Sequence, residues 1–287
     1  MRTPPFLHLH LAQLSLLAVL MFTADAALCA AGPAEDPWFS SANGSARTLN
    51  QGRWTIGIFQ PLRHGISDRI ELSAHPLLFP LLPNFSLKWS HSPAGPWQFA
   101  SRHSFYDPTP LLRLLRRKGT GGIISPEFEI PNMGAWTSEL LITRPLGSAH
   151  LITFKAGISL CLFRSSALDS RTTIDLPLVF PRLQPFYQDY TWRSGIEGMG
   201  RLGRRWLYLV DGDLFYTPGG DENWALEHKG MLLWDKSSRV QLGLGYKLTW
   251  GEYPFGTQWH LLGPLIDLQW GWGPPAFRRS AAGSNKF

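Results

Sequence analysis

Asp211 and Asp213 are the nearest thing in this chain to a paired-carboxylate centre. On an extended strand they share a face, and such a pair suits proton transfer or calcium ligation once a partner is placed beside it. Serine chemistry would need a histidine next to a serine, and two adjacent pairs occur, His91-Ser92 and His103-Ser104. Neighbours on a strand point to opposite faces, so neither pair is poised for proton transfer. His75, His150, His228 and His260 lack metal-ligand spacing. Cys29 and Cys161 are too few for a zinc site or a disulfide framework. No metal, no cofactor and no catalytic residue is assigned. The glycine-rich run around Arg201, Arg204 and Arg205 lacks the Gly-Lys-Ser/Thr ending of a phosphate loop, so a turn with cations is expected there.

Cations cluster once more after Thr109-Pro110. Thr109 suits a helix N-cap, Pro110 the first helical position and Gly119 the stop. Arg113, Arg116 and Arg117, followed by Lys118, then fall on one face of a short basic amphipathic helix. At a membrane boundary that face suits anionic lipid or lipopolysaccharide phosphates. The plainer alternative is a loop helix that covers its own fold with solvated arginines.

Whatever these residues do, strands must position them. From about residue 52 the chain alternates with period two over long stretches. Val240, Leu242, Leu244, Tyr246, Leu248 and Trp250 oppose a wholly polar or glycine face. Ile152 to Leu162 and Ile266 to Trp272 repeat the pattern. Runs of ten to thirteen residues exceed the five or six common in soluble sandwiches and match the roughly 9–11 that a tilted strand needs to cross a bilayer. Trp224 and Trp234 share a face, ten residues apart. That spacing is about 33 Å along a strand, or roughly 25 Å once tilted, the height of the apolar band on outer-membrane barrels. Composition agrees. Charged residues are 17% of the chain, and the deficit has gone into 13 Trp, 28 Gly and 23 Pro. That excludes a coiled coil, a disordered chain and a polytopic helical membrane protein. The net charge of +6 is scattered through the strand pattern, so no nucleic-acid partner is expected.

One segment carries a resemblance. Gly65-Ile66-Ser67-Asp68-Arg69-Ile70-Glu71-Leu72 resembles the G-L-T-D-R-L-E-L turn-and-strand that recurs in many bacterial outer-membrane barrels. It covers one hairpin and implies architecture without an activity.

The expectation is an all-β fold, a closed antiparallel transmembrane β-barrel of about twelve strands, with ten as the alternative, spanning 51–272. A secretory signal occupies 1–26, with Leu14 to Phe22 as its apolar region and Ala24-Asp25-Ala26 as the cleavage site. A flexible segment 27–50 and a tail 273–287 flank the barrel. Leu28 before Cys29 fits lipidation of that cysteine poorly, and Cys161 reads as a small apolar strand residue. Strands are expected at 52–60, 66–75, 83–91, 97–106, 124–130, 134–144, 150–163, 186–195, 205–217, 222–235, 238–251 and 258–272. Lumen candidates are Arg69, Glu71, Lys88, Arg102, Lys155, Asp211, Asp213, Glu227, Lys229, Arg239, Lys247 and Asp267. Trp224, Trp234, Trp250, Trp270 and Trp272 are expected at the lipid headgroups. The reading is a monomeric bacterial outer-membrane barrel acting as a small pore or solute-binding channel, in contact with membrane lipid and a small solute or a surface partner. A closed structural or surface-interaction barrel is the second reading, and a lipid-modifying enzyme the third.

Overall fold

The computed structural model describes residues 38, 42–173, 175–219 and 222–274. The signal segment, Cys29 and the tail beyond 274 lie outside them. Alternation becomes twelve antiparallel strands in one closed barrel: β1 (Trp54–Gly57), β2 (Leu62–Ser67), β3 (Ile70–Ala74), β4 (Asn84–Ser90), β5 (Gln98–Tyr106), β6 (Met133–Leu146), β7 (His150–Arg164), β8 (Tyr190–Arg201), β9 (Trp206–Tyr216), β10 (Trp224–Asp235), β11 (Val240–Tyr253) and β12 (Gly256–Trp272). Each strand pairs with its neighbours in sequence. β1 closes the ring against β12, with Trp54 opposite Trp272 and Gly57 opposite Gln269. β12 has 17 residues and β1 only 4, so the seam pairs just the last part of β12 and leaves Gly256 to Asp267 without a β1 partner.

The count of twelve arrives by a different division from the expected one. The stretch 52–75 folds as three strands, because turns at 58–61 and 68–69 cut it twice. The stretch 124–130 forms no strand. Its Ile124 and Ile130 are apolar because they pack with Leu112, Leu183 and Phe186 in a cluster of loop and helix residues.

Burial is inverted relative to a soluble barrel. Inside the ring lie Thr137, Thr143, Thr153, Thr191 and Thr249 with buried Glu71, Lys88, Lys155, Asp213 and Glu227, whereas Ile196, Leu244 and Ile266 face outward at 50%, 53% and 63% exposure. Tryptophans on the outer face fall toward the two ends of the strands. Trp54, Trp89, Trp206, Trp234, Trp270 and Trp272 lie toward the end that holds both chain termini of the barrel. Trp136, Trp192, Trp224, Trp250 and Trp259 lie toward the other.

The connections are equally uneven. At the end with the termini, here the lower end, they are the short 68–69, 147–149, 202–205 and 236–239, together with 91–97. The upper end carries 75–83, 107–132, 165–189 and 217–223, with the short turns 58–61 and 254–255. Helix α1 (Thr109–Leu115) lies in 107–132 and helix α2 (Phe180–Gln188) in 165–189. α1 is shorter than expected. Pro108 occupies its N-cap position, and Arg116 rather than Gly119 its C-cap, while the Thr109 hydroxyl bonds into the chain at Met133. Leu183 and Phe186 seat α2 in the same cluster as α1.

Candidate functional site

The lumen is filled from both ends, and its centre is a belt of ion pairs. Residues 42–50, expected as part of a flexible lead-in, run buried against the inner wall instead. Their small side chains (Ala42 to Ala46 is Ala-Asn-Gly-Ser-Ala) let backbone approach the wall closely. Lys88 holds them: its ammonium donates to the carbonyls of Asn43 at 2.9 Å, Ser45 at 3.3 Å and Arg47 at 2.9 Å. Thr143 Oγ1 accepts the Ala46 amide at 2.8 Å, and Glu71 accepts that of Leu49 at 2.9 Å. Below them Trp38 packs among Leu151, Met199, Leu207 and Leu233 and donates its indole N–H to the Ser237 carbonyl. A Cβ on Gly44 would stand 1.9 Å from the Glu197 carboxylate, so only glycine passes that point.

Above this segment the charges join into one chain across the lumen. Arg102 and Arg193 both bind Glu139, at 2.7 and 2.6 Å. Arg193 continues to Asp213 at 2.6 Å, and Lys155 binds both Asp213 and Asp211. Lys229 lies 3.6 Å from Asp211. Two smaller groups flank the chain. Arg63 makes a two-pronged contact with Glu71 at 2.8 Å per bond, with Lys88 at 3.7 Å. Arg182, reaching down from α2, and Lys247 share Glu227. Burial acts against the charge of Arg182, and Glu227 more than offsets it, so the guanidinium pKa is raised. Paired networks of this kind rigidify a polar interior, and the charges of this belt are joined carboxylate to cation.

Of the expected lumen residues, Glu71, Lys88, Arg102, Lys155, Asp211, Asp213, Glu227, Lys229, Lys247 and Asp267 lie on the inner face. Asp267 accepts the Phe59 amide at 3.0 Å and so fixes the β1–β2 turn. Arg69 and Arg239 do not belong there. Arg69 sits in the turn 68–69 and Arg239 in the turn 236–239, both exposed, because β3 and β11 begin only at Ile70 and Val240, later than the alternation suggests. Arg63, Glu139, Arg193 and Arg182 are the members that sequence reasoning missed. Glu139 and Arg193 continue the inward parity of their strands and were legible on that basis. Arg182 comes from a loop helix and was not.

The Asp211–Asp213 pair has Lys155 as its counter-cation, which removes the free carboxylate pair that calcium or acid–base work would use. The histidines meet serines across strands. His103 Nδ1 lies 3.0 Å from Ser138 Oγ and His91 Nε2 3.1 Å from Ser101 Oγ, all on the outer face. The Trp136 indole N–H also donates to Ser138 Oγ, at 3.0 Å. Arg113 and Arg116 donate to the loop carbonyls of Ile130 and Pro126, and Arg113, Arg117 and Lys118 are exposed.

Two adjoining cavities remain in the upper half. One, of about 340 Å³, is polar and reaches Lys88, Arg102, Glu139, Arg182 and Arg193. The other, of about 330 Å³, is apolar and lies between Leu82, Pro108, Leu111, Val179 and Leu183. Pro61, Ser73, Ser86, Ser104, Tyr106 and Arg182 line both.

No family model matches the sequence, and no curated protein matches it. Among solved structures the chain is similar to the outer membrane channel DcaP of Acinetobacter baumannii, at 9% identity and a TM-score of 0.39, over 74% of this chain. It spans 62% of the length of that channel.

Proposed function

We propose that this chain is a bacterial outer-membrane barrel that takes a small solute into an internal chamber from its upper, loop-bearing end, as a solute-binding channel without catalytic activity. The observation that carries the reading is the inverted barrel with a polar cavity of about 340 Å³ above a lumen segment held by hydrogen bonds. An outward apolar face has no place in water over this area, whereas in a bilayer it meets lipid, and a closed ring leaves few backbone groups bare. The two longest loops lie at the upper end and most of the short turns at the lower, which follows the extracellular and periplasmic pattern of such barrels. The outer-face tryptophans at both strand ends suit the two headgroup levels. Residues 42–50 then close the periplasmic side, and solute leaves downward only when they move.

The test is membrane fractionation with boiled and unboiled gel samples, followed by planar-bilayer recording. A heat-shifting membrane band with infrequent conductance steps supports the gated channel. A heat-shifting band that stays silent after verified insertion supports the closed structural barrel, and a soluble chain overturns both. The outward His103–Ser138 pair favours a lipid-hydrolase alternative. Release of fatty acid by the wild type, lost in Ser138→Ala, would establish it.

A further inference from the structure

The two adjoining cavities differ in kind, and their junction is a cation. The polar one is lined by Lys88, Arg102, Arg182 and Arg193 against Glu71 and Glu139, four positive groups to two negative. The other is lined almost wholly by carbon, with the side chains of Leu82, Leu111, Val179 and Leu183 converging on it. Each falls within the range of small-molecule sites, about 300–1,000 Å³, where an apolar body and a few placed polar groups fix orientation. Arg182 lines both cavities, and its side chain is 40% exposed although both its prongs hold Glu227. A ligand that fills both spaces meets guanidinium groups at one end and carbon at the other.

From this we infer that the chamber binds a single-chain anionic amphiphile, its head at Arg182 beside Arg193 and its chain in the apolar cavity under α1 and α2. The inference rests on the solute-chamber reading above and names its substrate class. The barrel wall offers such a chain a way in from the side. Beside the β1–β2 turn, which supplies Pro61 to both cavities, β12 has no β1 partner from Gly256 to Asp267. The lips of that gap are apolar: Ile58 and Phe59 on the turn, Leu261, Leu262 and Ile266 on β12, all exposed. Apolar side chains thus flank the gap on both sides.

The experiment uses the mature chain in phosphatidylcholine nanodiscs, with empty nanodiscs subtracted and the heat shift checked for every variant. Radiolabelled dodecanoate should be retained at least tenfold more tightly than dodecanol. Arg182→Gln should remove that difference, and Arg182→Lys should restore much of it. Ser73→Trp, on the inward face and at the wall of both cavities, should weaken both probes at least tenfold. A free carboxylate and a lipid head share this chemistry. Dodecanoate and a lysophosphatidic acid are therefore titrated in parallel, and the tighter of the two names the source. Retention no greater than in empty nanodiscs, or equal binding of acid and alcohol, overturns the inference. If conductance steps persist alongside that result, the channel reading stands without it. A chain that fails to enter membranes overturns both.

Discussion

Glu71 is where the lumen segment, the wall and the charge belt meet. It accepts two bonds from Arg63 and one from the Leu49 amide, with Lys88 close by. Lys88 has no exposed surface to speak of and spends its three protons on carbonyls of residues 43–47. Lys88→Met removes those bonds and leaves the carbonyls desolvated without donors. The expected cost is roughly 3–5 kcal/mol, as for removing one partner of a buried charge contact. If residues 42–50 are the gate, the same variant raises the open probability in planar bilayers and speeds amide exchange at Ala46 and Leu49. Destabilisation with no change in conductance would assign Lys88 to structure alone. Gly195 is the second sensitive point. A Cβ there would lie 2.2 Å from Asp213 Oδ1 and 2.6 Å from the Gly212 carbonyl, and backbone cannot step aside. Gly195→Ala should cost about 1–3 kcal/mol by overpacking, read as a lower temperature for the gel shift. An unaltered shift temperature would mean the β8–β9 contact is looser than drawn.

At the scale of elements, the seam is the weak place. β6, β7 and β8 are long and paired along both edges, whereas β1 holds β12 over four residue pairs and β2 over two. Exchange protection follows local pairing, so the β1 amides should exchange well before those of β7, and mass spectrometry of peptides from the two strands measures it. Equal protection would show that Trp54, stacked on His64 and Trp272, secures the seam beyond its hydrogen bonds. The long strands were legible in the sequence because one face meets each environment throughout. β11 reads correctly to within two residues at each end. The short ones were not. Gln60-Pro61 and Asp68-Arg69 make turns inside a stretch whose alternation continues through them. Segment 124–130 misleads for the opposite reason, since its apolar residues serve a loop core. Residues 42–50 look like a linker because small polar residues are what both solvent and a crowded lumen select. The contacts with Lys88, Thr143 and Glu71 distinguish the two, and those are tertiary.

For the whole molecule the central prediction is its orientation. Both barrel termini and four of the six short turns share one end, and the helix-bearing loops share the other. If the barrel spans the outer membrane with short turns toward the periplasm, two exposed lysines report it. Lys118 lies in the upper connection 107–132 and Lys236 in the lower turn 236–239. In a background with Cys29 and Cys161 both replaced by serine, Lys118→Cys should react with a membrane-impermeant maleimide on intact cells. Lys236→Cys should react only after the outer membrane is permeabilised. The reverse pattern would put the cavities on the periplasmic side, and residues 42–50 would then close the outer face. Equal labelling of both in intact cells would mean that the apolar outer surface does not seal a bilayer. The two-sided result carries more than topology. It places Arg182 and the gap beside β12 in the outward half of the barrel, where a chain from the outer leaflet would reach them first.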